Sequence, residues 1–197
     1  MHTVKPLPFD ASRLRGLSER LIVSHHENNY GGAVKNLNRI EEELARVTKD
    51  KPPLLVAALR ERELTFANSA TLHELYFGNL GGDGKVSGAA ESALSRASGS
   101  FGRWEELFRL TGMGLAGGSG WVVLAWDFQR ADVRTYWSGN HTQACAFGQP
   151  LLVLDMYEHA YAIDYGAAAA KYVDAFFQNI QWDEVNRRLE SAQRRTA

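Results

Sequence analysis

Residues 151–161 read LLVLDMYEHAY. Four aliphatic residues run into Asp155, and His159 follows four positions on, with Glu158 beside it. A short apolar run of this kind is the pattern of a buried strand. The carboxylate and imidazole then mark where the strand gives way to a turn or helix. Residues 151–154 are therefore read as the last strand of a small sheet. Upstream, GGSG introduces WVVLAW (121–126), a second buried strand, and residues 133–137 supply a third. Downstream, helices are expected over about 167–179 and 182–192.

The first half of the chain has a different period. Residues 1–16 look extended. Ser18 is placed to cap a helix running to about Val47, with Leu21, Ile22, Leu37, Ile40 and Leu44 at helical spacing. KDKPP breaks it. A second long helix is expected from about Leu54 to Leu80, its apolar positions being Leu54, Leu55, Leu59, Leu64, Leu72, Leu75 and Tyr76. A short break between two long helices predicts an antiparallel hairpin. GNLGGDGK (78–85) is the strongest loop signal, followed by shorter helices at about 89–97 and 101–115. The expected class is α+β: a helical hairpin unit over 1–84 and an α/β unit with a small sheet over 85–197.

Composition narrows the function classes. The 197 residues are 45% hydrophobic and 23% charged, enough for one sizeable core or two smaller ones. The formal net charge of −1 gives no general attraction to nucleic acid or to an anionic membrane. Cys145 is the only cysteine, so neither an internal disulfide nor a thiolate zinc site is available. MHTVKPLPFD lacks the pattern of a signal peptide, and no apolar run is long enough to span a bilayer. A cytoplasmic protein is the expectation.

The histidines carry the chemistry. His25 lies on the first long helix and His73 on the second, so a hairpin can bring them level. Asp155 and His159 are close in sequence at the end of a strand. Three imidazoles and one carboxylate would form a nitrogen and oxygen site suited to iron, manganese or zinc. A metal held between the two units would also join them.

The chain here resembles the iron/manganese superoxide dismutases. The resemblance is carried by HHENNYGGAVKNLN (25–38), NSATLHELYFGNL (68–80), GSGW (118–121), DMYEHAY (155–161) and QWDEV (181–185). It covers nearly the whole chain, with the blocks in matching order and spacing. The fold it implies is a helical hairpin plus an α/β unit with a three-stranded antiparallel sheet. The ligands it implies are His25, His73, Asp155 and His159, holding one Fe or Mn ion that cycles between +3 and +2. Superoxide is the implied substrate and a homodimer the implied assembly. Ser69 stands at one of two positions where the family places a glutamine near the metal-bound solvent, and is too short for it. His141, in the loop GNHTQ, fits the other, with Gln143 as fallback. Glu158 is implied to reach the partner subunit's ligand histidine, with Tyr161 at the same interface. Trp121 and Phe77 are implied to wall the pocket.

The chain departs from the family pattern at the entrance. Ala33 stands at the gateway tyrosine position and Asn29 at a frequent gateway histidine. Tyr30 is the nearest phenol and a candidate proton donor. GAAAAKY (166–172) lacks the usual arginines, leaving Lys171 and Lys35 as cationic candidates, and Val123 replaces the second tryptophan of a WxW pattern. These changes predict weaker steering and altered proton delivery, with the first half-reaction less affected than the second. Two other readings compete: a metal-binding protein of low or no activity that keeps the fold, and a mononuclear iron oxygenase. The third histidine argues against the latter, which needs two histidines, one carboxylate and open positions.

Overall fold

The computed structural model describes residues 1–146 and 148–195. An extended arm and a 3-10 turn at Ala11–Arg13 lead to α1 (Glu19–Ser24), capped by Ser18, whose Oγ accepts from the Leu21 amide at 3.1 Å. The helix continues through a π-helical turn, His25–Tyr30, into α2 (Gly31–Ala45). α3 (Pro53–Gly78) returns antiparallel to it, with proline at its first position, where the missing N–H costs nothing. Sequence periodicity did not register the π-turn. It changes the rotation per residue at the very point where His25 and Tyr30 must both face inwards.

α3 ends on Asn79, whose amide joins the helical part to the sheet. Its Oδ1 accepts from the Val153 amide at 2.9 Å and its Nδ2 donates to the Val153 carbonyl at 3.3 Å. The loop after it needs glycine, because a Cβ on Gly82 would lie 2.2 Å from the Ile180 carbonyl oxygen. α4 (Gly88–Ser98) and α5 (Phe101–Met113) precede a three-stranded antiparallel sheet. Its strands are β1 (Trp121–Asp127), β2 (Asp132–Ser138) and β3 (Gly148–Asp155), in the order β2-β1-β3. β1 is central and wholly buried, as its unbroken apolar run requires.

The register pairs Trp121 with Ser138 on one side and with Asp155 on the other. Beyond β3 come a 3-10 turn at Glu158–Ala160, a short helix α6 (Ala162–Tyr165), α7 (Ala169–Gln178) and α8 (Trp182–Arg194). Arg188 on α8 is buried and ties three elements together. It donates to Glu184 on its own helix, to the Leu151 carbonyl of β3 and to the Leu75 carbonyl of α3.

The helical hairpin and antiparallel sheet match the expected fold class. Burial corrects one detail. Leu54, Leu55 and Leu64, read as apolar positions of a packed helix, are 76%, 47% and 48% exposed, because none of the described residues covers that face of the hairpin. Among the described residues, no helix is long and apolar enough to cross a membrane.

Candidate metal centre

Four side chains from three parts of the chain meet below the hairpin. His25 comes from the π-turn, His73 from α3, Asp155 from the end of β3 and His159 from the 3-10 turn. One ligand atom from each lies within 4.8 Å of all the others. Asp155 Oδ2 is 3.1 Å from His25 Nε2, 3.5 Å from His73 Nε2 and 3.3 Å from His159 Nε2. His25, His73 and Asp155 are buried, while the His159 side chain keeps 25% of its exposure.

Hydrogen bonding fixes how these groups point. His73 Nδ1 lies 2.7 Å from the Ser69 carbonyl oxygen, which only accepts. The ring proton therefore sits on Nδ1, and Nε2 presents a lone pair. That lone pair faces an anionic oxygen and His159 Nε2, 3.4 Å away. Three ring nitrogens around one carboxylate oxygen repel each other unless a proton or cation lies among them. His25 Nδ1 is meanwhile a buried ring nitrogen with no hydrogen-bond partner among the described residues. Separations of 3.1–3.5 Å are those of neighbouring ligands on one first-row ion, with bonds of ~2.0–2.2 Å. The donor set thus fits a metal of that kind.

Charge at the site follows from burial and contact. Burial, reinforced by His25, pushes His73 down to about 3. Burial also lowers His25, against the opposing pull of Asp155. For Asp155, burial acts upwards but is outweighed by His159 and by hydrogen bonds from His159 and His25, which hold it well below the usual carboxylate range. Imidazoles that resist protonation beside a carboxylate that stays ionised are the protonation states a metal requires.

Aromatic rings close the site. Trp121, fully buried, stands edge-on to His73 with ring centroids 5.0 Å apart. Phe77 packs edge-on against His25 at 5.0 Å, so both anticipated wall residues also belong to the core. The Trp121 indole donates to His141 Nδ1 at 3.0 Å. Indole is a donor only, so His141 must accept there. Burial lowers His141 and favours its neutral form, which then carries its proton on Nε2. The Asn68 amide holds this loop by donating to the His141 carbonyl at 2.6 Å. Gln143, the fallback, is exposed and accepts from the Gly139 amide at 2.6 Å, bracing its own loop.

The remaining expected residues stand outside this four-residue cluster. Tyr30 is buried with its ring stacked near His73, but its hydroxyl donates to Glu74 Oε1 at 2.9 Å and accepts from the Lys5 amide at 3.0 Å. Burial, with Glu74 adding to it, pushes the phenol up to about 12. The hydroxyl is thus committed away from the Asp155 cluster, contrary to the proton-donor expectation. Ala33 is buried and Asn29 half-buried. Tyr161, expected at a subunit interface, is 2% exposed. The glycine-rich loop covers it, with the Gly117 amide 3.5 Å from its hydroxyl, and its ring stacks on Tyr172. Glu158, Lys35 and Lys171 are exposed.

Two contributors escaped the sequence reading. The Tyr157 ring is nearly parallel to His141 (4.7 Å, 9°) and to His159 (5.3 Å, 17°), a slab between a wall histidine and a ligand. Tyr172 donates to the Asp155 carbonyl at 2.7 Å from α7. The sequence signal for Tyr157 was its place inside DMYEHAY. Tyr172 had none, being one aromatic of an ordinary amphipathic helix.

Comparison with known proteins agrees with this geometry. Residues 86–188 match the family described as iron/manganese superoxide dismutases, C-terminal domain. The superoxide dismutase (Fe) of Cupriavidus metallidurans is 46% identical over 195 residues, covering 98% of this chain and 99% of the relative. The superoxide dismutase (Mn) 1 of Halobacterium salinarum is 31% identical, covering 98% of each chain. The superoxide dismutase (Fe) of Aquifex pyrophilus is 34% identical, covering 98% of this chain and 93% of the relative. With a similarity that runs nearly end to end, the chain belongs to the iron/manganese superoxide dismutase family.

Proposed function

We propose that this protein converts two superoxide anions and two protons to dioxygen and hydrogen peroxide, with His25, His73, Asp155 and His159 holding one iron or manganese ion. The observation that carries the reading is the convergence of three imidazole nitrogens on Asp155 Oδ2. Bound there, the metal supplies a +3/+2 couple that removes an electron from one superoxide and gives one to another.

The chain's own residues do the rest. The Ser69 carbonyl holds His73 in the tautomer that ligates. The Asp155 carboxylate supplies the negative charge that favours a cation, while its Oδ1 accepts from the Tyr157 amide at 2.9 Å and is thereby fixed in direction. Trp121 holds His141 so that its Nε2–H is free to donate to solvent or peroxide in the pocket. Trp121 and Phe77 keep bulk water from the buried side. With Ala33 offering no hydroxyl, proton delivery in the second half-reaction falls to His141.

The same reading includes a homodimer in the cytoplasm, where one cysteine suits a reducing compartment. The exposed Glu158 then accepts from the open edge of the partner subunit's His159. The division into a hairpin unit over 1–84 and a sheet unit over 85–197 belongs to it too, the metal lying between them.

Apo-protein reconstituted separately with iron and with manganese tests the proposal, each form being assayed by pulse radiolysis. About one ion per chain and superoxide removal with at least one metal are expected. Loaded protein that removes superoxide no faster than buffer would overturn it.

A further inference from the structure

Beside His73, three residues, Lys5, Tyr30 and Glu74, close a ring of hydrogen bonds, and His26 is attached to it. The residues that directly follow the two helix-borne histidines both belong to this network, Glu74 within the ring and His26 attached to it. His26 follows His25, and its Nε2–H donates to the Lys5 carbonyl at 2.8 Å. Glu74 follows His73, and it accepts from the Tyr30 hydroxyl on Oε1 at 2.9 Å and from Lys5 Nζ on Oε2 at 2.5 Å. The Lys5 amide completes the ring by donating to the Tyr30 hydroxyl at 3.0 Å. Tyr30 also ends the π-turn that begins with His25. Its ring lies nearly parallel to His73, with centroids 6.4 Å apart at 26°.

We infer that Tyr30, Glu74 and Lys5 form a clamp that sets the relative position of His25 and His73, making all three positioning residues for the metal. The inference rests on the metal reading of the His25–His73–Asp155–His159 cluster. The geometry explains why a clamp is needed. The π-turn loosens the backbone pattern of its helix where His25 must be held, and the rings of His25 and His73 meet edge-on at only 5.0 Å. Covalent connection between the two helices is remote, through the residues around 46–52. The clamp supplies the missing local tie, and it brings in the N-terminal arm as a working part of the site. Its three residues border an open cleft of about 590 Å³ while the Tyr30 ring also packs in the core, so variants that keep ring and size leave the main packing in place.

The test uses the metal-loaded full chain and two variants, Tyr30→Phe, which keeps the ring, and Glu74→Gln, which keeps the size. Metal release to a chelator and the visible or EPR spectrum of the loaded protein are measured. Release is expected to quicken ~10-fold, at the lower end of what removal of ligand-supporting partners does. The spectrum is expected to change. Tyr30→Phe removes the hydroxyl and Glu74→Gln the charge that holds Lys5 Nζ, so both open the same ring and combining them should add little. Arg60→Ala, which breaks an exposed pair with Glu63 on the same helix, should change neither readout. Should Tyr30→Phe fail to fold, Glu74→Gln and Lys5→Met read the same quantity. Variants that fold and keep wild-type release and spectrum, with only a lowered melting point, would overturn the clamp alone. Wild-type protein that binds no metal would overturn it together with the metal reading.

Discussion

The two halves of α3 both carry leucines at helical spacing and have opposite fates. Towards its start, Leu54, Leu55 and Leu64 are largely exposed, whereas towards its end Ser69, Ala70, Leu72, His73, Tyr76 and Phe77 are buried. A helix of 26 residues is about 39 Å long, more than the diameter of a small core. α2 packs along one side of it. Only the final turns also meet β3, through Asn79, and α8, through Arg188. Leucine at helical spacing therefore marks a face but does not decide whether anything covers it. The difference teaches where the molecule concentrates its constraints: at the end of the hairpin that carries His73.

The largest test of that contrast is His73→Ala. It should abolish metal binding and superoxide removal together, measured by metal analysis and pulse radiolysis. A variant that keeps both would show that the base of α3 is not the site. The next test is acid. In the unfolded chain His25 and His73 titrate near 6.5, while in the folded chain both are lowered, His73 to about 3. As pH falls from 6.5 the unfolded chain takes up protons that the native one refuses, so stability falls. The slope approaches 1.4 kcal/mol per pH unit for each histidine, roughly. Asp155 is ionised in both states down to about pH 5; below that the unfolded carboxyl takes up protons first and adds slope of the same sign. Denaturant titrations of metal-free protein between pH 7 and 4 read this directly, and a flat profile would contradict the burial assigned to these rings.

Asn79→Ala should cost about 3 kcal/mol, since it leaves the Val153 amide and carbonyl without partners in a buried place. Chemical denaturation measures this, and a cost near zero would mean that the hairpin's end is not tied to β3 by that amide. Smallest of all, Leu64→Ser should change stability by no more than ~0.5 kcal/mol, as surface substitutions usually do. A large loss there, in dilute solution, would erase the distinction between the two halves of α3.

Much of this was legible because strong local patterns and specific blocks coincide. An aliphatic run ending in DMYEHAY gave β3 and two of the four clustered side chains, and the hairpin periodicity placed His25 and His73 where they could meet. What was illegible has physical reasons. Tyr30 was visible as a phenol near the site, but the direction of its hydroxyl depends on a π-turn that no apolar period announces. The cover that the glycine-rich loop gives Tyr161 is a matter of tertiary packing. Tyr157 works through ring orientation, and the His73 tautomer through a backbone carbonyl that every residue possesses. The exposure of Leu54 and Leu64 reflects the absence of a neighbour, which a helix's own sequence does not record.

His25 and Asp155 are 130 residues apart in the chain and 3.1 Å apart in space. During synthesis, a chain complete through α3 already displays two imidazoles, but it lacks the carboxylate and the third imidazole. The binding site therefore comes into being only when the last strand has paired with the first and the following turn has formed. Metal capture is then a late event, and it rewards only chains that have closed this long loop. An ion that favours the finished fold over every earlier one pulls the folding equilibrium towards it, so the metal supply of the cell acts as a selector of correctly assembled molecules.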